Sequence, residues 1–399
     1  MEYLFGLTQP PWWGYVLYTV FAIHASVMAV TLYLHRDQTH RGLDLHPIVR
    51  HACRFWLWFT TAIVTKQWVA VHRKHHARCE TPEDPHSPVI EGIGKVLREG
   101  AELYQEEARK ESTQEKYGRG TPDDWLERNV YSRFPNLGIM LLAVMNLALF
   151  GVLGITIWAL QMLAMPVLSA GVINGLGHWT GYRNFECDDA ARNLTPVAIV
   201  CGGEELHNNH HAFPSSAKFS AQRWEFDIGW MYISLFKAVG LARVRRLMPE
   251  PEFASSERSV DLETVRAIIV NRMHVLRDYT RTVTLPVLKA EALNAKNQSS
   301  ERARQMLRDA KRALTRRPEL LDARHQERLQ QMLEDSAALK TVHEFRERLH
   351  GLWSGATVSN EKLLGQLSDW CKEAEATGIR ALEEFSQRLK QYQMPAVAS

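Results

Sequence analysis

Apolar and polar positions divide this chain into two kinds of material. From Trp13 to Leu34 there is no Asp, Glu, Lys or Arg. At about 1.5 Å per helical residue such a run can cross a hydrocarbon layer of about 30 Å. Phe134 to Tyr182 is a second uncharged stretch of 49 residues. It accommodates two spans, 136–152 and 155–178, with a turn near Gly151–Gly154. Gly171 and Gly175 suit close helix packing, and Pro166 a kink. Between these stretches, apolar Phe55–Val64 is bounded by Arg54 and Lys66 and is too short to cross, so residues 48–70 read as a re-entrant or interfacial segment. Lys95–Lys110 predicts an amphipathic helix lying on a surface.

Beyond residue 252 the pattern changes. Ser-rich Ala254–Ser259 reads as a linker, followed by polar helices broken at Pro286 and Pro318. The strongest are Leu320–Leu349 and Asn360–Gln391, the latter with Asn360 as N-cap. Arg302–Arg317 is a basic run, expected to be a solvated helix face. The expected fold class is all-α. Residues 1–252 form a membrane-embedded helical bundle carrying a histidine-rich cap, and residues 253–399 a soluble, charged helical extension of unknown role.

Charge adds orientation. Residues 1–252 carry 24 basic against 25 acidic side chains and residues 253–399 carry 24 against 20, for a net charge of +3; no nucleic-acid partner is expected. The first Lys or Arg is Arg36, followed by Arg41, Arg50 and Arg54. The positive-inside rule therefore places residues 1–12 outside and the polar segments after the first span in the cytoplasm, with the chain in the inner membrane. Trp12–Trp13 reads as an interfacial belt, and no cleavable leader is expected. Five scattered cysteines without Cys-x-x-Cys argue against a disulfide framework and a thiolate zinc site.

Histidine supplies the candidate chemistry. Eight cluster as His35 and His40; His72, His75 and His76; and His207, His210 and His211. The two triplets each present one helix face. His35 and His40 would lie roughly 140° apart on an α-helix, so they would chelate one ion poorly but could reach two neighbouring ions. A four-coordinate site needs only four ligands, so eight imply two metals or a surplus. Imidazole suits Fe, Zn, Cu and Ni and does not name the metal. His178 is a ninth candidate, on one face with Asn174 at the cytoplasmic end of the last span. His24 is expected to make a packing or helix–helix contact. His46, His51 and His86 are not expected to be ligands, and His274, His325, His343 and His350 are expected to face solvent. Trp56, Trp58 and Trp68 are expected to be interfacial anchors rather than substrate walls.

His35-x4-His40, His72-Arg-Lys-His75-His76 and His207-Asn-Asn-His210-His211, with Asn174-x3-His178 and Trp224-Glu-Phe-Asp227, resemble the histidine boxes of membrane-bound fatty acid desaturases, closest to the stearoyl-CoA desaturase branch. The resemblance covers roughly residues 13–245. It implies a non-haem di-iron centre held by His35, His40, His72, His75, His76, His178, His207, His210 and His211, with Asn174 approaching one iron through a water. It also implies O2-dependent insertion of a cis double bond into a saturated fatty acyl-CoA, at the ninth carbon, or into an acyl lipid. Asp84, Glu204 and Glu205 are candidates, by proximity, to orient ligating imidazoles. Better-known relatives have two spans before the first box, where this chain has room for one. No His-Pro-Gly-Gly haem segment is present, so electrons are expected from a separate ferredoxin, rubredoxin or cytochrome b-type protein with its reductase. The alternatives are a lipid or alkyl hydroxylase with the same boxes and a non-catalytic metal- or haem-binding membrane protein.

Overall fold

The structure, a computed structural model, describes residues 6–255, 259–294, 310, 313–314, 320–354 and 359–394. These are mostly helical, and their strands occur only as pairs of two or three residues. Two compact units emerge: Met1–Asn184 with Asp189–Met248, and Phe185–Asp188 with Pro249–Ser399.

In the first unit, α1 (Trp12–Thr39) runs on past the uncharged stretch because its polar end is internally satisfied. Arg50 donates to both oxygens of Asp37, at 2.8 and 2.6 Å, and the Thr39 hydroxyl donates to Leu34 O. From Val30 onward the helix is of the wider π type, with His40 N donating to His35 O at 3.1 Å. α2 (Pro47–Thr61) is capped by His46 Nδ1, which accepts from Ile48 N. It stops at Ala62, whose φ of 58° is left-handed. α3 (Thr65–Arg78) begins three residues later. The pair forms a V. At its tip Thr60 Oγ1 lies 2.9 Å from Ser26 Oγ, deep along α1, and on its return His72 Nε2 lies 3.1 Å from His40 Nε2.

α4 (Ile93–Ala108) is kinked at Glu99, and Gly100 lets it approach Ala170, where an added Cβ would sit 3.0 Å from the carbonyl oxygen. α5 (Glu111–Tyr117) follows. α6 (Pro135–Phe150) and α7 (Val152–His178) are separated by Gly151 alone, at φ +61°. Leu7 N and Thr8 N donate to Ala148 O and Leu149 O, both at 2.8 Å, so the start of α1 and the α6–α7 turn share one end of the bundle. Inside it, Tyr18 Oη donates to Asn146 Oδ1 and Asn146 Nδ2 to Gln161 Oε1. This satisfies polar groups that hydrocarbon would leave stranded.

Two of these helices, α1 and α7, are long and apolar enough to cross a membrane. Their outer faces and that of α6 leave large apolar side chains uncovered, among them Phe21, Met140, Val144 and Leu163. An apolar surface this broad is lipid-facing rather than water-facing, and it points to a membrane protein. α8 (His207–Ala212) and α9 (Ile228–Ala238) complete the unit. His24 Nε2 meets Tyr232 Oη of α9 at 3.1 Å. β1 (Leu43–Leu45), β2 (Val197–Ala198), β3 (Phe226–Asp227) and β4 (Ala242–Val244) pair as β1–β4 antiparallel and β2–β3 parallel.

In the second unit, α10 (Leu262–Val270) is capped by Asp261 Oδ1, which accepts from Thr264 N at 2.7 Å. α11 (Arg272–Tyr279) passes through a π turn into α12 (Leu285–Asn294), so Pro286 does not break the helix. Where one helix was expected over 320–349, α13 (Ala323–Asp335) and α14 (Ala337–Ser354) meet at an extended Ser336, whose hydroxyl accepts from Leu339 N. The expected 360–391 helix is likewise α15 (Asn360–Ala376) and α16 (Arg380–Lys390), separated near Gly378 at φ +70°. Its N-cap is Ser359, which accepts from Lys362 N, not Asn360. The core gathers Tyr279, Phe345, Trp370 and Phe385, with Trp370 Nε1 donating to Phe345 O and Tyr279 Oη to Val342 O. β5 (Glu252–Phe253) pairs antiparallel with β6 (Tyr392–Gln393). His274 is buried rather than solvent-facing, its ring edge-on to Phe185 at 5.3 Å. Most of the basic run 302–317, Pro318 and residues 256–258 of the linker lie outside the described residues.

Candidate metal centre

All nine histidines come together at the end of the first unit where α1 and α7 finish. They form two adjoining groups. His35, His40, His72, His76 and His210 make one; His75, His178, His207 and His211 make the other, with ligand atoms in each group within 4.8 Å of one another. Each triplet is divided between the groups, so the triplets are hinges rather than single-ion chelates. His35 and His40 share one group, with ring centroids 4.9 Å apart, against the expectation of two ions. The reason is the π-type ladder of α1: bonding five residues apart turns i and i+5 to one face, which an α-helix does not.

Carboxylates fix the tautomers. His35 Nδ1 meets Glu204 at 2.7 Å, His75 Nδ1 meets Asp84 at 2.9 Å, His178 Nδ1 meets Glu80 at 2.9 Å and His211 Nδ1 meets Asp189 at 2.8 Å. A carboxylate that holds the proton on Nδ1 leaves Nε2 as a lone pair. Two of the candidates named from sequence, Asp84 and Glu204, are in these contacts. Glu205 is not: its carboxylate accepts from the backbone amides of Cys201 and Gly203 and holds the turn before α8. Glu80 and Asp189 were missed. Proximity that points to Asp84 points equally to Glu80, whereas Asp189 stands 22 residues before His211, beyond any local pattern.

The lone pairs face one another. His35 Nε2 lies 3.0 Å from His210 Nε2, His178 Nε2 lies 3.0 Å from His207 Nε2, and His210 Nε2 lies 2.9 Å from His76 Nε2. Burial, reinforced by neighbouring imidazoles, holds His40, His72, His76, His207 and His210 well below the ordinary histidine range. They are thus neutral, the form that binds metal. Burial lowers His211 to about 4 in spite of Asp189; burial opposes a charge on His75 too, but Asp84 raises it. Lone pairs converging across such distances repel unless cations lie among them, so the donor set fits a pair of transition-metal ions. Stacked on His75 at 4.5 Å is the ring of His86, which stands outside both groups.

Two arginines brace this arrangement. Arg36 is fully buried with Asp227 in a two-pronged ion pair at 2.9 and 3.0 Å. It also donates to Ala217 O and Gly202 O and stacks on Phe219 at 3.7 Å. Gly203, at φ +100°, leaves room for it: an added Cβ would lie 2.5 Å from the guanidinium. Arg73, between two ligands of α3, donates to the carbonyls of Gln38, Thr39, Tyr117 and Arg119.

Beside the centre, two apolar cavities share the walls of Val30, Trp68, His72, Met165, Ser169 and Asn174. One reaches down α1 to Val27 and touches His35, His207 and Glu204. Trp68 is therefore a cavity wall, its ring stacked on His72 at 4.9 Å. Trp56 and Trp58 instead donate to Ser26 Oγ and Phe134 O.

Residues 10–225 match the fatty acid desaturase family, and residues 263–398 match a family described as transposase. Among the described residues, the groups of His, Cys, Asp and Glu atoms close enough to share an ion all fall between residues 35 and 211, none within the second match. The chain is 29% identical over 256 residues to a probable chloroplastic lipid desaturase of Arabidopsis thaliana, covering 63% of this chain and 69% of that protein. It is 29% identical over 247 residues to an icosanoyl-CoA 5-desaturase of Limnanthes douglasii, covering 60% and 66%. To an sn-1 stearoyl-lipid 9-desaturase of a Synechocystis strain it is 29% identical over 233 residues, covering 57% and 70%. With more than half its length matched, from ahead of the first box to beyond the third, the chain belongs to the fatty acid desaturase family and is an oxidoreductase acting on fatty acyl chains.

Proposed function

We propose that this protein inserts a cis double bond into a saturated fatty acyl chain, with acyl-CoA the first choice of substrate and acyl lipid the second. The observation that carries the reading is the pair of buried imidazole groups opening onto an apolar cavity. Two irons, held by the five-histidine and the four-histidine group, would when bound supply the O2-derived oxidising power needed at a C–H bond that has no acidic proton.

The chain's own residues do the rest. Apolar walls at Val27, Val30, Met165 and Leu168 receive the acyl chain and exclude water from the centre. Glu80, Asp84, Asp189 and Glu204 keep four imidazoles in one tautomer and orientation. Asn174, on both cavity walls, adds a polar group beside the ligands. Val27 lies eight residues from His35, roughly 10–12 Å along the helix, about the length of nine methylenes. That depth supports attack at the ninth carbon of a chain of about eighteen.

For the membrane arrangement, we read α1, α6 and α7 as spans and the α2–α3 V as dipping in and returning, which keeps the three boxes on one face. The positive residues that follow α1 favour the cytoplasmic face of the inner membrane. A separate ferredoxin, rubredoxin or cytochrome b-type donor would supply electrons there.

Expression in a host without this activity, followed by fatty acid analysis, tests the reading. A new monoenoic acid is expected, with about two irons and no haem per purified chain. A hydroxy acid would move the protein to the hydroxylases; a haem Soret band without non-haem iron would remove the di-iron reading.

A further inference from the structure

The two histidine groups differ in how near they lie to the surface. His75, His178, His207 and His211 are all buried, whereas His40 and His76 of the five-histidine group are partly exposed, their rings 4.6 Å apart. Electron transfer weakens steeply with distance, so a carrier working from water is best placed beside His40 and His76.

Positive charge collects around the same two rings. Arg41 follows His40, Arg73 follows His72, and Arg78 stands two residues past His76. The end of α5 and the loop after it run beside them. Arg41 Nη2 donates to Gly120 O at 3.3 Å, and Arg73 Nη1 donates to Tyr117 O and Arg119 O at 3.0 and 2.8 Å. Lys116 Nζ lies 5.1 Å from the centre of the Tyr117 ring. Desolvation raises the Tyr117 hydroxyl, but Lys116 and then Arg78 beside it bring it below the ordinary phenol range. Arg41, Arg73, Arg78, Lys116 and Arg119 thus share one face, and all but Arg73 are exposed.

Little negative charge opposes them. Glu83 pairs with Arg78 at 2.8 Å, and Glu115 stands exposed on α5. Arg41, Arg73 and Arg119 donate to backbone carbonyls, and among the described residues no ion pair neutralises these three or Lys116. None of the five lines either cavity beside the centre, so the face stands apart from the acyl path. An uncompensated cationic face steers and holds a partner of opposite charge.

We propose that this face is where a soluble, acidic one-electron carrier docks, beside His40 and His76. Each reduced carrier gives up one electron and leaves oxidised, so two encounters supply the two electrons that desaturation with O2 takes up. The proposal rests on the di-iron reading above.

The test uses the full-length protein in detergent and, as probe, an acidic plant-type [2Fe–2S] ferredoxin. Two rates are read: association of the ferredoxin with the immobilised chain, iron-free and iron-loaded, and loss of the ferric absorbance on mixing with reduced ferredoxin. Both should fall steeply from about 0.01 M to about 1 M salt, as the Debye length shrinks from about 30 Å to about 3 Å. Arg41→Glu and Arg119→Glu should each slow both rates about fivefold or more at low salt and flatten the salt dependence. Reduction by photoreduced deazaflavin, a small neutral carrier, should stay unchanged in both variants. Lys237→Glu, exposed on α9, should alter nothing. Wild-type rates that ignore salt, or ferredoxin rates unaltered in both variants, would overturn the docking face. So would variants that raise only the KM for acyl-CoA, which would give the face to the substrate's phosphates. A wild-type chain that binds no iron would overturn the metal reading instead.

Discussion

Replacing Arg36 with Met should strongly destabilise the first unit without removing a ligand atom. The guanidinium is fully buried and donates to both oxygens of Asp227, to Ala217 O, to Gly202 O and to Thr31 Oγ1. Its loss leaves Asp227 with only the amides of Phe219 and Trp230, at 2.8 and 3.0 Å. Breaking one side of a buried pair costs about 3–5 kcal/mol, and each carbonyl left dry adds about 1 kcal/mol or more. A total of about 5–7 kcal/mol should lower the melting midpoint by about 10–28 °C for a unit of this size. Asp227→Asn should cost about 3–5 kcal/mol by the same argument. The double variant buries no unpaired charge, so it should be less destabilised than the two single effects added together. Thermal unfolding in detergent, followed by tryptophan fluorescence at fixed iron loading, reads all four proteins. Effects that add to within about 0.5 kcal/mol, or an Arg36→Met midpoint within about 3 °C of wild type, would refute the reasoning.

Further outcomes follow from the same geometry. Asp189→Asn and Glu80→Gln should each weaken iron binding about 10- to 100-fold. Glu205→Gln, whose partners are backbone amides, should leave iron affinity unchanged, as read by metal titration of the apoprotein. Val27→Phe narrows the deep end of the cavity and should shift desaturation toward shorter acyl chains in competition assays; an unaltered chain-length profile would remove Val27 from the substrate path. Ala62→Val puts a β-branched side chain at a left-handed φ of 58° and should cost about 1–2 kcal/mol, visible as a lower melting midpoint.

The apolar runs and the histidine boxes were legible because both are local: a span is a matter of length, and each box lies within six residues. The groups they form were not, since the division of His72, His75 and His76 between two groups depends on how α3 meets α1. The α-helical angle between His35 and His40 misled because nothing in Val30–Thr39 announces a π ladder. The carboxylate partners split the same way, with Asp84 close to its box and Asp189 distant from His211. In the tail, Leu320–Leu349 and Asn360–Gln391 carry a continuous helical pattern. Their breaks rest on one serine and one glycine, Ser336 in extended backbone and Gly378 at a left-handed φ, which a helical pattern of apolar residues does not announce.

The π stretch of α1 has an arithmetic consequence. A pair five apart on a π ladder occupies the place of a pair four apart on an α-helix, so the first box amounts to an α-helical pair with one residue inserted. That extra residue lets Arg36 and Asp37 turn inward toward Asp227 and Arg50 while His35 and His40 stay side by side. One added residue thus allows a single helical turn both to hold metal and to anchor the turn that presents the third box.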